Sequence, residues 1–165
     1  MITTRETSIN DISIIQDIAY KTWPETYGEI LSEHQLKYML DKFYSDEYLK
    51  QNFTNNHLFY IIEENKVPLG FLGIEHNYNK ELVTKIHKIY ILPNNQGKGI
   101  GLFAIDFVIE LAKNKLISKV ILNINKFNKA LNFYQKMGFQ IIEEINIEIG
   151  NGYLMEDFVM EKQII

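Results

Sequence analysis

Apolar and polar positions divide the chain into short helical and extended elements. Ile2 to Thr7 reads as a first strand. Ile12, Ile15, Ile18 and Ala19 then recur at helical spacing, and Pro24 predicts an end to that helix near Trp23. Ser32-Glu33-His34-Gln35 has the form of a capping box and opens a helix through Leu36, Met39 and Leu40. Ser45-Asp46-Glu47 starts another, running to about Asn52. Leu58 to Glu63 and Leu69 to Tyr78 read as strands joined by a turn from Glu64 to Pro68, and Leu82 to Leu92 as a third. After Ile100 the only polar stripe is Asp106, Glu110 and Lys113, which predicts a helix packed deep against a sheet. Val120 to Ile124 is a further strand. Lys129 to Met137 reads as a helix with Gly138 at a left-handed C-terminal cap and Phe139 as its hydrophobic partner. Gln140 to Ile149 and Tyr153 to Lys162 form a closing hairpin around Gly150-Asn151-Gly152. No repeat, linker or low-complexity tract interrupts this order, so residues 1–165 read as a single mixed α/β domain.

Composition narrows the function classes. The 165 residues are 46% hydrophobic and 23% charged, ordinary for a globular domain that buries its core without staples. With no cysteine there is no disulfide, thiolate metal site or cysteine nucleophile, and no metal is expected. The start MITTRETSIND lacks the basic-then-apolar pattern of a signal peptide, and no apolar run approaches the ~20 residues of a membrane span. A cytoplasmic location without a membrane partner is therefore expected. A net charge of −4 speaks against a nucleic-acid binder and is compatible with a cationic substrate. Monomer and homodimer both remain open.

The stretch from Ile86 to Ala112 carries the chemistry. A β-branched run ends at Pro93, a polar loop follows, and Gly97, Gly99 and Gly101 alternate with Lys98 and Ile100 before the helical pattern starts. Unbonded N–H groups of a first helical turn and the helix dipole make such a junction an anion site, and glycine lets the backbone approach a phosphate closely. The loop lacks the GxxxxGK[ST] of a mononucleotide P-loop. Gly99 to Ala104 matches the dinucleotide fingerprint GxGxxA, but Pro93 to Gln96 intervene between strand and glycine. The next strand, moreover, is followed by Asn125 and Lys126 and not by an acid.

Gln96-Gly97-Lys98-Gly99-Ile100-Gly101, placed after the strand Ile89-Tyr90-Ile91, resembles the Q/R-x-x-G-x-G/A pyrophosphate loop of the GNAT-type N-acetyltransferases. Asn128-x-Ala130-x-x-Phe133-Tyr134-x-Lys136-x-Gly138-Phe139 is similar to that family's second signature. The resemblance implies a GNAT-like fold, with a central, mixed but mostly antiparallel β-sheet flanked by helices. It also implies acetyl-CoA as cosubstrate and direct acetyl transfer to a primary amine. Gln96 to Gly101 would anchor the pyrophosphate, with Lys98 as an added charge. A bulge would splay the strand at Ile89, Tyr90 and Ile91 and expose its main-chain donors to the pantetheine arm and thioester.

Tyr134 is the candidate general acid, since a phenol holds its proton at neutral pH and can give it to a departing thiolate. Asn128 reads as an N-cap and, by resemblance, as a cofactor ligand too. Lys136 is solvated or meets a phosphate. Glu75 and His87, on strands near the expected cleft, are the side-chain candidates for general base, with a bound water chain as the alternative. Trp23-Pro24-x-x-Tyr27, Tyr38-Met39-Leu40 and Gly150-Asn151-Gly152-Tyr153-x-Met155-x-Asp157 look similar to the PaiA-type spermidine/spermine N-acetyltransferases. Carboxylates and aromatic faces suit a polyamine. A protein N-terminus, an amino acid, an aminoglycoside, or a non-catalytic CoA-binding regulatory role are the alternatives.

Overall fold

The computed structural model describes residues 1–165. In chain order the elements are β1 (Ile2–Glu6), α1 (Ile12–Tyr27), α2 (Glu33–Phe43), α3 (Asp46–Thr54), β2 (Leu58–Glu64), β3 (Val67–His76), β4 (Val83–Ile91), α4 (Ile100–Asn114), β5 (Lys119–Asn125), α5 (Leu131–Lys136), β6 (Gln140–Gly150) and β7 (Tyr153–Gln163). The strands form one seven-stranded sheet in the order β1-β2-β3-β4-β5-β7-β6. Every neighbouring pair is antiparallel except β4 and β5, which are joined through α4 and run parallel.

Each face of the sheet carries its own core. On one, α4 and α5 bury Ile100, Ala104, Ile105, Val108 and Tyr134 against Leu72, Ile74, Ile86, Val120 and Leu122. On the other, α1 to α3 bury Ile15, Ile18, Trp23, Tyr27, Leu40, Tyr44 and Leu49 against Phe59, Ile61, Phe71 and Met155. Alternate residues of β3, Phe71 and Leu72, serve opposite faces, as strand geometry requires.

Three local expectations are corrected. Pro24 does not end the first helix: α1 continues to Tyr27, and the Gly28 N–H donates to the Pro24 carbonyl at 2.9 Å. A proline in the last turn costs one backbone bond, and burial of Trp23 and Tyr27 in the second core offsets that loss. The turn between β2 and β3 is only Asn65-Lys66, both left-handed (φ 51° and 65°), so Pro68 lies inside β3. A register shift there, with Glu63 opposite Pro68 and Ile62 opposite Gly70, accommodates the missing proline donor. β3 stops at His76, and Tyr78 belongs to a 3₁₀ turn, Tyr78–Lys80.

The closing hairpin turns at Asn151-Gly152, both with positive φ (55° and 76°). Its tip is docked on α2. Lys42 Nζ and the Tyr38 hydroxyl donate to the Ile149 carbonyl at 2.6 and 3.3 Å, and Gln35 Nε2 donates to the Leu154 carbonyl at 2.8 Å. A Cβ on Gly150 would lie 2.5 Å from the Tyr38 hydroxyl, so glycine is needed for that approach. Docking the tip places the first half of β7 beneath α1 and α2.

Candidate active site

The site starts where two strands part. β4 and β5 pair only from Val83 opposite Lys119 to Ile86 opposite Leu122. Beyond that point β4 stays with β3 to Ile91, while β5 stays with β7 to Asn125. Ile74 stands opposite Ile86 and Gly73 opposite Lys88, which leaves His87 as an extra, bulged residue in β4. A bulge bends its strand and increases local twist, and here it lies where β4 leaves β5.

The Leu92 N–H donates to the Leu69 carbonyl of the β3 chain at 2.8 Å. Main-chain groups alternate sides along a strand, so the N–H groups of Ile91 and Ile89 face the gap, where no strand stands opposite. The Tyr90 main chain faces β3, and Tyr90 contributes its side chain to the site instead.

At the mouth of the gap, Gln96 Nε2 donates to the Ile91 carbonyl at 3.1 Å and ties the loop to the strand end. Gly97 and Gly99 hold left-handed φ of 76° and 78°, and Gly99 is the N-cap of α4. The first bond of the helix runs from Phe103 N–H to the Gly99 carbonyl, so the N–H groups of Ile100, Gly101 and Leu102 have no protein acceptor. A Cβ on Gly97 or Gly99 would meet nothing within 4 Å, so the space above the loop is open. Unpaired donors, open space and a helix N-terminus together suit a phosphate group. Gly101 has another role: a Cβ there would come within 3.3 Å of the Phe133 ring, where α4 meets α5. Lys98 is exposed beside the loop.

Tyr134 lies on α5, buried edge-to-face against Phe133 and Phe139 with centroids 5.2 and 5.8 Å away. Burial, and secondarily the nearby Tyr27, push its phenol well above the ordinary value, so it stays protonated. Gly138 takes the left-handed cap with φ 93°, and Phe139 N–H returns to the Tyr134 carbonyl at 3.0 Å. The Asn128 side chain accepts from the Ala130 N–H at 2.9 Å and so shapes the entry to α5, which begins at Leu131. Lys136 is exposed.

The two base candidates form one unit, and it has a third member. His87 Nε2 lies 3.0 Å and His57 Nε2 3.5 Å from Glu75 Oε1, with the imidazoles stacked 4.2 Å apart at 9°. An ionised carboxylate only accepts, so neutral His87 donates its Nε2–H to Glu75 and carries its lone pair on Nδ1. Burial, then the Lys85 and Lys88 ammoniums, pull His87 down to about 3. Burial, then His87 and Lys88, pull His57 down to about 4 against the opposing pull of Glu75. Both rings are therefore uncharged at neutral pH. Two imidazoles and a carboxylate within 4.8 Å are also a metal-ligand set. A shared ion, however, would have to lie in both ring planes at once, and parallel stacked rings do not permit that.

Next to His87, the Lys88 ammonium donates to Asn52 Oδ1 at 3.2 Å and lies 5.5–5.8 Å from the rings of Tyr44, Tyr48 and Phe59. Removal from water lowers it to about 8.

On the α1–α3 face the gap is walled by aromatics. Tyr27 and Tyr90 hydroxyls are 3.0 Å apart, and Trp23 packs on both with centroids 4.7 and 6.0 Å away. Burial pushes Tyr27 up to about 12, with Asp157 adding to the rise. Asp157 sits on β7 opposite Asn125 of β5, shares its sheet face with Met155, and is 7% exposed. Its Oδ1 is buried with no hydrogen-bond partner. Burial lifts this carboxyl to about 6, against a smaller pull from Lys85. His57 and Lys88 were not legible as site residues, because no periodicity marks them. Asp157 entered the sequence reading only as the last residue of the pattern from Gly150, with no role of its own.

Comparison with known proteins agrees with this geometry. The acetyltransferase (GNAT) family model matches residues 14–139, and the chain belongs to that family of N-acetyltransferases. It is 26% identical over 165 residues to the spermidine N(1)-acetyltransferase of Thermoplasma acidophilum, covering 96% of this chain and 95% of that protein. It is 36% identical over 87 residues to an uncharacterized N-acetyltransferase of Methanocaldococcus jannaschii, a match spanning half of this chain but only 38% of that protein. Among solved structures, the PaiA N-acetyltransferase of T. acidophilum in complex with coenzyme A superposes with a TM-score of 0.83 at 25% identity, covering 99% of both chains. The Escherichia coli ribosomal-protein-S18-alanine N-acetyltransferase, 15% identical with a TM-score of 0.74, shares the fold. No helix is long and apolar enough to cross a membrane.

Proposed function

We propose that the chain transfers the acetyl group of acetyl-CoA directly to a primary amine, with a polyamine such as spermidine or spermine as acceptor. The observation that carries this reading is the continuous path formed by the open loop at Gly97 and Gly99, the free N–H groups of Ile89 and Ile91, and the parted strands below them. Pyrophosphate on the α4 N-terminus and pantetheine along β4 bring the thioester toward the bulge at His87. Gln96 to Gly101, with Lys98, hold the phosphates, and the Asn128 amide group is left over for the cofactor's arm.

Within that frame, main-chain donors of β4 polarise the thioester carbonyl. The proton of the attacking amine leaves through the Glu75–His87 pair or a bound water chain; with His87 held at about 3, its imidazole passes the proton on to water and does not store it. The amine nitrogen adds to the carbonyl carbon, the C–S bond breaks, and the Tyr134 hydroxyl protonates the leaving thiolate. The polyamine assignment draws support from the spermidine-acetylating relative, which aligns over nearly the full chain, and from the aromatic wall of Trp23, Tyr27 and Tyr90.

The test is thiol release from acetyl-CoA with a panel of spermidine, spermine, lysine, an amino-terminal peptide and an aminoglycoside at equal concentration. Spermidine is expected to be turned over fastest. Turnover of the peptide with spermidine inert would move the protein to the protein-N-terminus reading, and silence across the panel with intact acetyl-CoA binding would leave a regulatory module.

A further inference from the structure

Asp157 is a carboxylate that the protein itself leaves without a partner. Oδ1 is shut away from water and accepts no hydrogen bond. Asn125, opposite it on β5, makes no hydrogen bond to it: its Nδ2 contacts Met155 Sδ at 3.9 Å, and its Oδ1 accepts from the Phe127 N–H at 2.9 Å. No lysine or arginine pairs with Asp157, although Lys85 is near enough to act on it through space. An unpaired buried carboxylate is costly, and a protein holds one where a bound molecule supplies the missing cation.

The surroundings say what kind of molecule. Asp157 lies on the face covered by α1 and α2, close enough to raise the Tyr27 phenol, and Tyr27 is joined to Tyr90 at 3.0 Å. Trp23 packs against both rings. Tyr134, from the opposite face, acts on Tyr90 and is itself acted on by Tyr27, so these phenols gather at the strand gap. The arrangement is one unpartnered carboxylate on the sheet face that also carries the aromatic rings.

We propose that Asp157, with the aromatic wall of Trp23, Tyr27 and Tyr90, is the ammonium subsite of the acceptor. An alkylammonium group pairs with the carboxylate, and the methylenes beside it lie along the rings. The subsite selects primary alkylamines carrying positive charge over neutral isosteres. It deepens the acetyltransferase reading and rests on it for the identity of the acceptor.

The experiment is calorimetric titration of wild type and Asp157→Asn with spermidine, 1-aminobutane and neutral 1-butanol, each with and without saturating coenzyme A. Asparagine keeps the shape and removes the charge. The amines are expected to bind the wild type and to bind Asp157→Asn about 10- to 100-fold more weakly, the range of a lost hydrogen bond to a charged group. 1-Butanol is expected to bind neither protein measurably, and coenzyme A both alike. Because the carboxylate has no partner to lose, the melting temperature of Asp157→Asn should be unchanged or higher.

Equal amine affinity in the two proteins would overturn the subsite, as would no amine binding to the wild type in either condition. A lower melting temperature in Asp157→Asn would also overturn it, by showing a structural carboxylate. Failure of coenzyme A to bind the wild type would instead overturn the acetyltransferase reading, and the titrations without coenzyme A would still report on Asp157.

Discussion

The hydroxyls of Tyr27 and Tyr90 lie 3.0 Å apart and join the end of α1 to the half of β4 that has left β5. Tyr27 is buried and Tyr90 half-buried, and each hydroxyl has the other as its hydrogen-bond partner. Tyr27→Phe leaves the Tyr90 hydroxyl alone at a cost of about 1–2 kcal/mol. The expected result is a melting temperature lower by roughly 2–8 °C for a chain of this size, with acetyl-CoA affinity unchanged. Thermal unfolding with and without acetyl-CoA checks both parts.

Tyr134→Phe keeps the ring between Phe133 and Phe139 and removes only the phenolic proton. If that proton goes to the departing thiolate, kcat falls by about 10- to 1000-fold while acetyl-CoA affinity and melting temperature hold. A purely structural Tyr134 would give near-normal turnover. Single-turnover measurements are needed alongside, because slow product release would mask a loss in the chemical step.

Gly99→Val should weaken acetyl-CoA binding by at least ~10-fold. The φ of 78° is strained for any residue with a Cβ, and the branch would project into the open space above the loop. A Gly101→Val variant separates the effects, because its Cβ meets the Phe133 ring and not the open space, so its main loss should be in melting temperature. Calorimetry showing unchanged affinity in a folded Gly99→Val protein would falsify the anchor assignment.

Stability should fall on acidification. His57 and His87 are held at about 4 and about 3 in the folded chain, against 6.5 when unfolded. Between those values the unfolded chain binds more protons, so their contribution is complete above pH 6.5 and is lost as pH falls toward 3. Asp157, raised from 3.8 to about 6, works the other way over its smaller window, its protonation favouring the folded state. The two histidines outweigh it. Urea midpoints at pH 7.5 and pH 5 should therefore show a lower value at pH 5, and replacing both histidines with glutamine should flatten or reverse that slope.

By itself the sequence marked most of the elements and the glycine loop before α4, because both are written in local physics. Helical spacing from Ile12 to Ala19, the serine caps at Ser32 and Ser45, and the glycines at 97, 99 and 138 each act within a few residues of themselves. The expected bases Glu75 and His87 were legible only as residue types on neighbouring strands. Tertiary structure alone decided that they share a hydrogen bond, because that depends on the register of β3 against β4 and on the bulge that turns His87 toward Glu75.

The same holds for His57, which reaches Glu75 from the start of β2, and for Tyr27, which stands beneath Tyr90 only because α1 runs on past Pro24. Asp157 is the clearest case. Its sequence neighbours mark a strand, but whether a carboxylate in a strand has a partner is settled by what other strands and helices bring to it. Here β5 brings Asn125, whose amide turns to Met155 and Phe127 instead, and α1 brings aromatic rings.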